Sequence, residues 1–137
     1  MLPVSLESIR LFLHVTAAAV WVGGQLTLLG LLPVLRGFGP DAPKAAAQRF
    51  NRIAWFAFGV LFVPGIWSLL AESPSTRGPA WNATLGLKLL MVAATGIAAA
   101  FHAGARSKAI LAVGGASSLF AGLAAVLLGV MLSVAPS

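Results

Sequence analysis

Long apolar runs dominate the pattern of hydrophobic and polar positions along this chain. Short polar stretches separate four of them: Leu11–Leu35, Ile53–Ala71, Leu85–Ala103 and Ala109–Val134. Each run is close to the ~20 residues that a helix needs to cross a hydrocarbon core of ~30 Å. Their leucines, alanines, valines and glycines do not alternate with polar residues, so the pattern predicts transmembrane helices rather than barrel strands.

These runs predict one all-α domain over residues 1–137. We expect four transmembrane helices at about 10–35, 47–71, 82–103 and 109–134. Because the connections between them are short, consecutive helices should be antiparallel and form a four-helix bundle. The first helix is expected to be retained rather than cleaved as a signal peptide, because no basic region precedes it and its apolar run is too long.

Composition supports a membrane protein and narrows the chemistry. Hydrophobic residues make up 59% of the chain and charged residues only 9%, whereas about a quarter of a soluble domain is charged. The chain has no cysteine. Disulfides, thiolate metal sites, iron–sulfur clusters and covalent haem attachment are therefore excluded.

The net charge of +6 is distributed unevenly over the predicted connections. The first and third connections are flanked by Arg36, Lys44, Arg49, Arg52, Arg106 and Lys108. The other side has Arg10 and Arg77, which are offset by Glu7 and Glu72. The positive-inside rule then predicts cytoplasmic first and third loops and periplasmic termini in a bacterial inner membrane. The cations are expected to contact the anionic lipids of the bilayer rather than nucleic acid.

Three ionisable side chains lie within the apolar runs, namely His14, Lys88 and His102. Such groups are costly at membrane depth and generally face the interior, so they mark candidate functional sites. Helical spacing gives two polar stripes that should face inward and could face each other. The stripes consist of His14, Ala18, Trp21 and Gln25 on the first helix, and of Lys88, Met91, Thr95, Ala99 and His102 on the third.

Depth along the helices decides which of these groups can cooperate. With helix starts near residues 10 and 82, a rise of ~1.5 Å per residue places His14 about 6 Å and Lys88 about 9 Å into the membrane. The same rise places His102 about 30 Å in, near the cytoplasmic face. His14 and Lys88 can therefore meet in the outer half of the bilayer, whereas His14 and His102 cannot bind the same metal.

The chemistry of this pair leaves several alternatives open. A neutral imidazole binds copper, zinc, nickel or haem iron. Lys88 could donate to a metal or move a proton as a neutral amine, or it could extend to the interface as an ammonium. The thioethers of Met91 and Met131 fall at similar depth, and thioether with imidazole suits Cu(I). Gln25 is expected to hydrogen-bond a neighbouring helix, or to contact a cofactor.

A cationic cluster is predicted at the cytoplasmic end of the bundle. Its members are Arg36, Arg49, Arg52 and His102. They could be topology anchors, or a clamp for carboxylates such as haem propionates or for a lipid head group.

Several short motifs resemble those of CopD-type (copper resistance protein D) membrane domains. They are His14-Val-Thr-Ala-Ala-Ala-Val-Trp21-Val-Gly-Gly24, Arg49-Phe-Asn-Arg52, Gly65-Ile66-Trp67 and Leu85-Gly86-Leu-Lys88-Leu-Leu-Met-Val. The resemblance spans residues 11–105. HemJ-type protoporphyrinogen oxidases are similar more broadly, with a first-helix histidine before tryptophan and glycine, and a later Lys-Leu in a helix that ends in histidine. The end of their first helix differs from Leu-Gly-Leu-Leu-Pro33-Val-Leu-Arg36 of this chain.

The resemblance implies two functions that share His14 and Lys88. CopD-like copper handling comes first, with His14 and Met91 or Met131 binding copper while Lys88 tunes or gates it. The alternative is a membrane protein with haem b, in which His14 is the axial ligand and Lys88 the second ligand or catalytic proton donor. Trp21, Gln25 and Arg52 would contact the cofactor, and His102 is a further candidate metal ligand. A third hypothesis is a cofactor-free accessory subunit of a larger membrane complex or homo-oligomer.

Overall fold

Four long helices account for most of the structure. The computed structural model describes residues 3–135, and within that range it contains no strand. The helices are α1 (Leu6–Gly37), α2 (Asp41–Ala71), α3 (Pro79–Ala103) and α4 (Lys108–Val134). Each is long and apolar enough to cross a membrane, which confirms the prediction of an all-α, multi-pass membrane protein.

Three helices begin earlier than the apolar pattern predicts. α1 starts at Leu6 because Ser5 and Ser8 form a capping box, in which the Ser8 amide donates to Ser5 Oγ (3.1 Å) and the Ser5 amide to Ser8 Oγ (3.4 Å). α2 starts with the acidic residue Asp41, which suits the positive end of a helix dipole. Pro79 occupies the first turn of α3, where its missing amide hydrogen costs no hydrogen bond within the helix. Capping and first-turn residues are polar or cyclic, so hydrophobicity alone misses them.

The chain divides into two compact units, Met1–Glu72 and Ser73–Ser137. We call them the N-terminal hairpin (α1 and α2) and the C-terminal hairpin (α3 and α4). The four-residue connection 104–107 makes the second a tight antiparallel pair, as predicted. A single domain comprising all four helices stays a prediction.

An ion cluster around a buried arginine lies at one end of the N-terminal hairpin. Arg10 is only 4% exposed. Its Nη2 atom lies 3.2 Å from Glu7 Oε1 and 3.9 Å from Glu72 Oε1. Since Arg10 is near the start of α1 and Glu72 follows the end of α2, the two helices are antiparallel. The sequence suggested that these acids offset Arg10, but not that the guanidinium is buried between the helices.

Aromatic rings join α1 to α2. The Trp21 ring centroid lies 4.4 Å from that of Phe58 and 5.4 Å from that of Trp55, and Phe58 continues to Phe62 at 5.4 Å. Gly24 faces the Phe50 ring so closely that a Cβ atom would overlap it. This packing fixes the face of α1 that α2 covers.

Reciprocal hydrogen bonds join α3 to α4. Thr95 Oγ1 donates to the Ser118 carbonyl (2.7 Å), and Ser118 Oγ donates to the Thr95 carbonyl (3.0 Å). Both residues are 2% exposed. Because lipid offers no competing hydrogen bonds, these contacts fix the register of the two helices.

Removing one of these hydroxyls should measurably weaken the C-terminal hairpin. We expect Thr95→Val, which keeps the side-chain shape, to lower the free energy of unfolding by roughly 0.5–2 kcal/mol. Thr84→Val is the matched control, because the Thr84 hydroxyl donates only to Ala80 O within α3. Reversible unfolding in mixed detergent micelles measures both, and equal changes would contradict an interhelical role for Thr95.

Candidate functional site

An irregular segment interrupts α1 within the predicted polar stripe. Residues Ala19–Gly23 form a π-helical turn, a feature that is frequent at functional sites. The wider turn breaks the α-helical spacing on which the predicted stripe depends after Ala18. Apart from the Gly23-Gly24 pair, the sequence has no signal for it.

Trp21 and Gln25 lie in and after this turn. Trp21 is 3% exposed and its ring packs against α2. Gln25 Nε2 donates to the Trp21 carbonyl at 3.1 Å, so its amide supports the irregular backbone. Their predicted role in cofactor binding stays a prediction, and the contacts above describe a role in shaping α1.

His14 lies five residues before the π-helical turn. The residue is half-buried, and its Nδ1 atom is shielded from solvent. A shielded imidazole nitrogen in an apolar span is chemically suited to a soft metal ion or to a hydrogen bond. His14 belongs to the N-terminal hairpin and Lys88 to the C-terminal hairpin, so their predicted pairing stays a prediction.

The Lys88 side chain runs over α4 at a glycine. A Cβ atom at Gly129 would lie 3.4 Å from Lys88 Nζ and 3.5 Å from Lys88 Cε. An alanine would fit at position 129 at ordinary contact distance, whereas a longer side chain would occupy the space of the Lys88 amine. The lysine therefore extends over α4 at a position without a bulky side chain.

The two candidate methionines differ in their relation to Lys88. Met91 is half-buried and lies about one helical turn further along α3, on the same face. Met131 is 48% exposed. It follows Gly129 by two residues, or about 200° around α4, and so points away from the Gly129 face. The geometry favours Met91 over Met131 as a partner of Lys88.

His102 packs into a slot between α3 and α4. Its Nδ1 atom lies 2.6 Å from the Leu111 carbonyl. Because a carbonyl only accepts, Nδ1 carries the proton and Nε2 is the lone-pair nitrogen of the neutral ring. A Cβ at Gly114 would lie 3.1 Å from His102 N, and one at Gly115 would lie 3.0 Å from His102 Nδ1. The two glycines thus leave space for the histidine side chain. Because Nδ1 is hydrogen-bonded to the Leu111 carbonyl, only Nε2 remains for the predicted metal ligation.

The polar stripe of α3 faces its own hairpin partner. Lys88 lies against Gly129, Thr95 against Ser118, and His102 against Gly114, at intervals of seven residues. The sequence predicted the stripe, and its expected orientation towards the polar stripe of α1 stays a prediction. The sequence could not identify α4 as the contacting helix, because the register of two helices is not visible in the periodicity of one.

The three arginines of the predicted cationic cluster are solvent-exposed. Arg36, Arg49 and Arg52 are all exposed residues of the N-terminal hairpin. His102 belongs to the other hairpin, so a clamp that combines them stays a prediction.

Residues 3–135 contain no group of three or more histidines, aspartates and glutamates that could hold a metal ion. Comparison with protein-family models, curated proteins and solved structures gives no match. His14, Lys88, Met91 and their surroundings are accordingly the features of this chain that point to a function.

Proposed function

We propose that this protein holds a redox metal centre in the outer half of the bilayer and functions in copper binding, transport or homeostasis. His14 supplies the imidazole, Met91 the thioether, and Lys88 tunes or gates the site. Imidazole and thioether are suitable donors for Cu(I). The observation that carries the proposal is the position of Lys88, which is half-buried within an apolar span and accommodated by Gly129.

Distances along the helices support a shared site. His14 lies eight residues after Leu6, and Lys88 lies nine residues after Pro79. At ~1.5 Å per residue these are about 12 and 13.5 Å from the starts of α1 and α3. Measured from these helix starts, the two positions differ by only about 1.5 Å along their own helices, which supports the proposed correspondence in depth. His102, at about 34 Å along α3, stays remote from it.

Packing on α4 favours copper over haem. A flat porphyrin would need open space beside small residues. Gly114 and Gly115 already accommodate His102, Gly129 accommodates Lys88, and Gly122 is buried. A single copper ion needs no such space.

A haem-b redox protein is the second candidate. His14 and Lys88 would each offer a nitrogen donor to haem iron, which would supply the redox chemistry. In that case Lys88 is the second ligand or the proton donor. Arg52, which is exposed, would in that case contact a propionate.

The charge distribution supports the proposed topology. We place the connections 38–40 and 104–107 in the cytoplasm, with both termini periplasmic in a bacterial inner membrane. Six cations flank these connections, whereas the Arg10 charge on the opposite side is associated with Glu7 and Glu72. The positive-inside rule favours this orientation.

Visible absorption of the detergent-purified protein, oxidised and dithionite-reduced, tests the function when copper is quantified in the same sample. Stoichiometric copper without a Soret band is the expected result. A Soret band with sharp reduced α and β bands would overturn copper handling in favour of haem b. A sample with neither would favour the cofactor-free accessory subunit.

A large side chain at position 129 should weaken copper binding by displacing Lys88. We expect Gly129→Leu to weaken copper retention by ~10-fold or more, the range seen when groups that position a ligand are lost. Gly129→Ala should retain copper, because its Cβ would be at ordinary contact distance from Lys88. Equilibrium dialysis against a Cu(I) chelator measures both variants, and identical affinities would show that the position of Lys88 does not matter.

A further inference from the structure

An apolar groove lies on the C-terminal hairpin, away from Lys88. Its volume is about 660 Å³. Large exposed side chains contribute to its lining on both helices, including Ile97, Phe101, Ile110 and Val113. Along α3 it extends over residues 94–101, or about 10 Å, which is a third of a ~30 Å hydrocarbon core. The groove therefore has the polarity and depth suited to the upper part of an acyl chain.

Two cations lie at one end of this groove. Arg106 is in the connection 104–107 between α3 and α4, and Lys108 immediately precedes the lining residue Ala109. Both side chains are exposed. Because α3 and α4 span the membrane, their connection lies at head-group level, where Arg and Lys contact lipid phosphates. Residues 73–137 contain no aspartate or glutamate. The hairpin itself therefore supplies no carboxylate for these charges.

We infer that this groove and the two cations form a binding site for an anionic phospholipid. One acyl chain lies along the groove between α3 and α4, and the phosphate lies between Arg106 and Lys108. The apolar lining alone would accept any chain, whereas the cations select for a negatively charged head group. This site is separate from the proposed metal centre and does not depend on it.

Native mass spectrometry of the full-length protein in detergent tests the inference. Phosphatidylglycerol and phosphatidylcholine with the same acyl chains are titrated separately. We expect retained phosphatidylglycerol and little phosphatidylcholine. Each Lys or Arg at an anionic surface contributes about fivefold in affinity, so Arg106→Gln with Lys108→Gln should weaken phosphatidylglycerol binding on the order of 20-fold.

Two further variants separate this site from diffuse charge attraction. Lys44→Gln with Arg77→Gln removes the same charge from positions outside the groove and should leave this binding unchanged. Ser117→Phe places a ring in the groove at an exposed position and should weaken the binding of phosphatidylglycerol while both cations remain. Equal loss in the two charge variants, no lipid preference, or no effect of Ser117→Phe would overturn the inference. A groove covered by a second copy would also overturn it, and would appear as dimers that Ser117→Phe dissociates.

Discussion

His14→Ala is expected to abolish copper retention while the protein remains folded. Without the imidazole, the proposed site keeps only a thioether and an amine. Affinity should therefore fall at least ~100-fold, beyond the 10–100-fold typical for loss of a group that merely orients a ligand. His14 is half-buried, so its truncation should leave the unfolding transition in detergent nearly unchanged. Copper quantification after purification in parallel with wild type measures the loss.

The second histidine provides a matched control. His102→Ala also removes one imidazole, but from the slot formed by Gly114 and Gly115. It should retain copper and instead destabilise the C-terminal hairpin, because the hydrogen bond to the Leu111 carbonyl is lost. Full copper retention by His14→Ala, or loss of copper only in His102→Ala, would refute the assignment of His14.

Gly114→Leu should have the largest effect on stability. A Cβ at this position meets the backbone of α3 at 3.1–3.2 Å from His102 N and Cα. Backbone cannot rotate aside as a side chain can, so the helices must separate and the His102 slot must open. Overpacking of this kind typically costs about 1–3 kcal/mol, and loss of the His102 hydrogen bond should add to it.

Gly86→Leu is the control for this substitution. Gly86 also lies within a transmembrane helix of the same hairpin, but a Cβ there meets nothing within 4 Å. We expect its free energy of unfolding to stay within about 0.5 kcal/mol of wild type. Detergent titration followed by circular dichroism compares the two, and a similar loss in both variants would show that close approach at Gly114 is not responsible.

The helices and their membrane character could be predicted because apolar runs of this length have few alternatives to a transmembrane helix. The first residues of the helices were harder to predict, since Ser5 and Asp41 act through hydrogen bonds and the helix dipole rather than through hydrophobicity. The tight second hairpin followed directly from its short connection.

The candidate site residues could be selected from the sequence, but the residues that contact them could not be predicted. Lys88 and His102 stood out because ionisable groups are rare in apolar runs. Their contacts with Gly129 and Gly114 depend on the register of α3 against α4, which a single-helix pattern does not contain. Arg10 was overlooked as a buried group because its partner Glu72 is remote in sequence. The π-helical turn at Ala19–Gly23 has no sequence signal other than the Gly23-Gly24 pair.

Cross-linking between positions 14 and 88 tests the central claim most directly, because the chain has no native cysteine. The double variant His14→Cys with Lys88→Cys is treated in membranes with a short bifunctional thiol reagent, alongside His14→Cys with His102→Cys. The proposal predicts rapid intramolecular cross-linking of the first pair and none of the second, whose sites differ by about 20 Å in depth. Cross-linking of the second pair, or failure of the first, would contradict a shared site of His14 and Lys88.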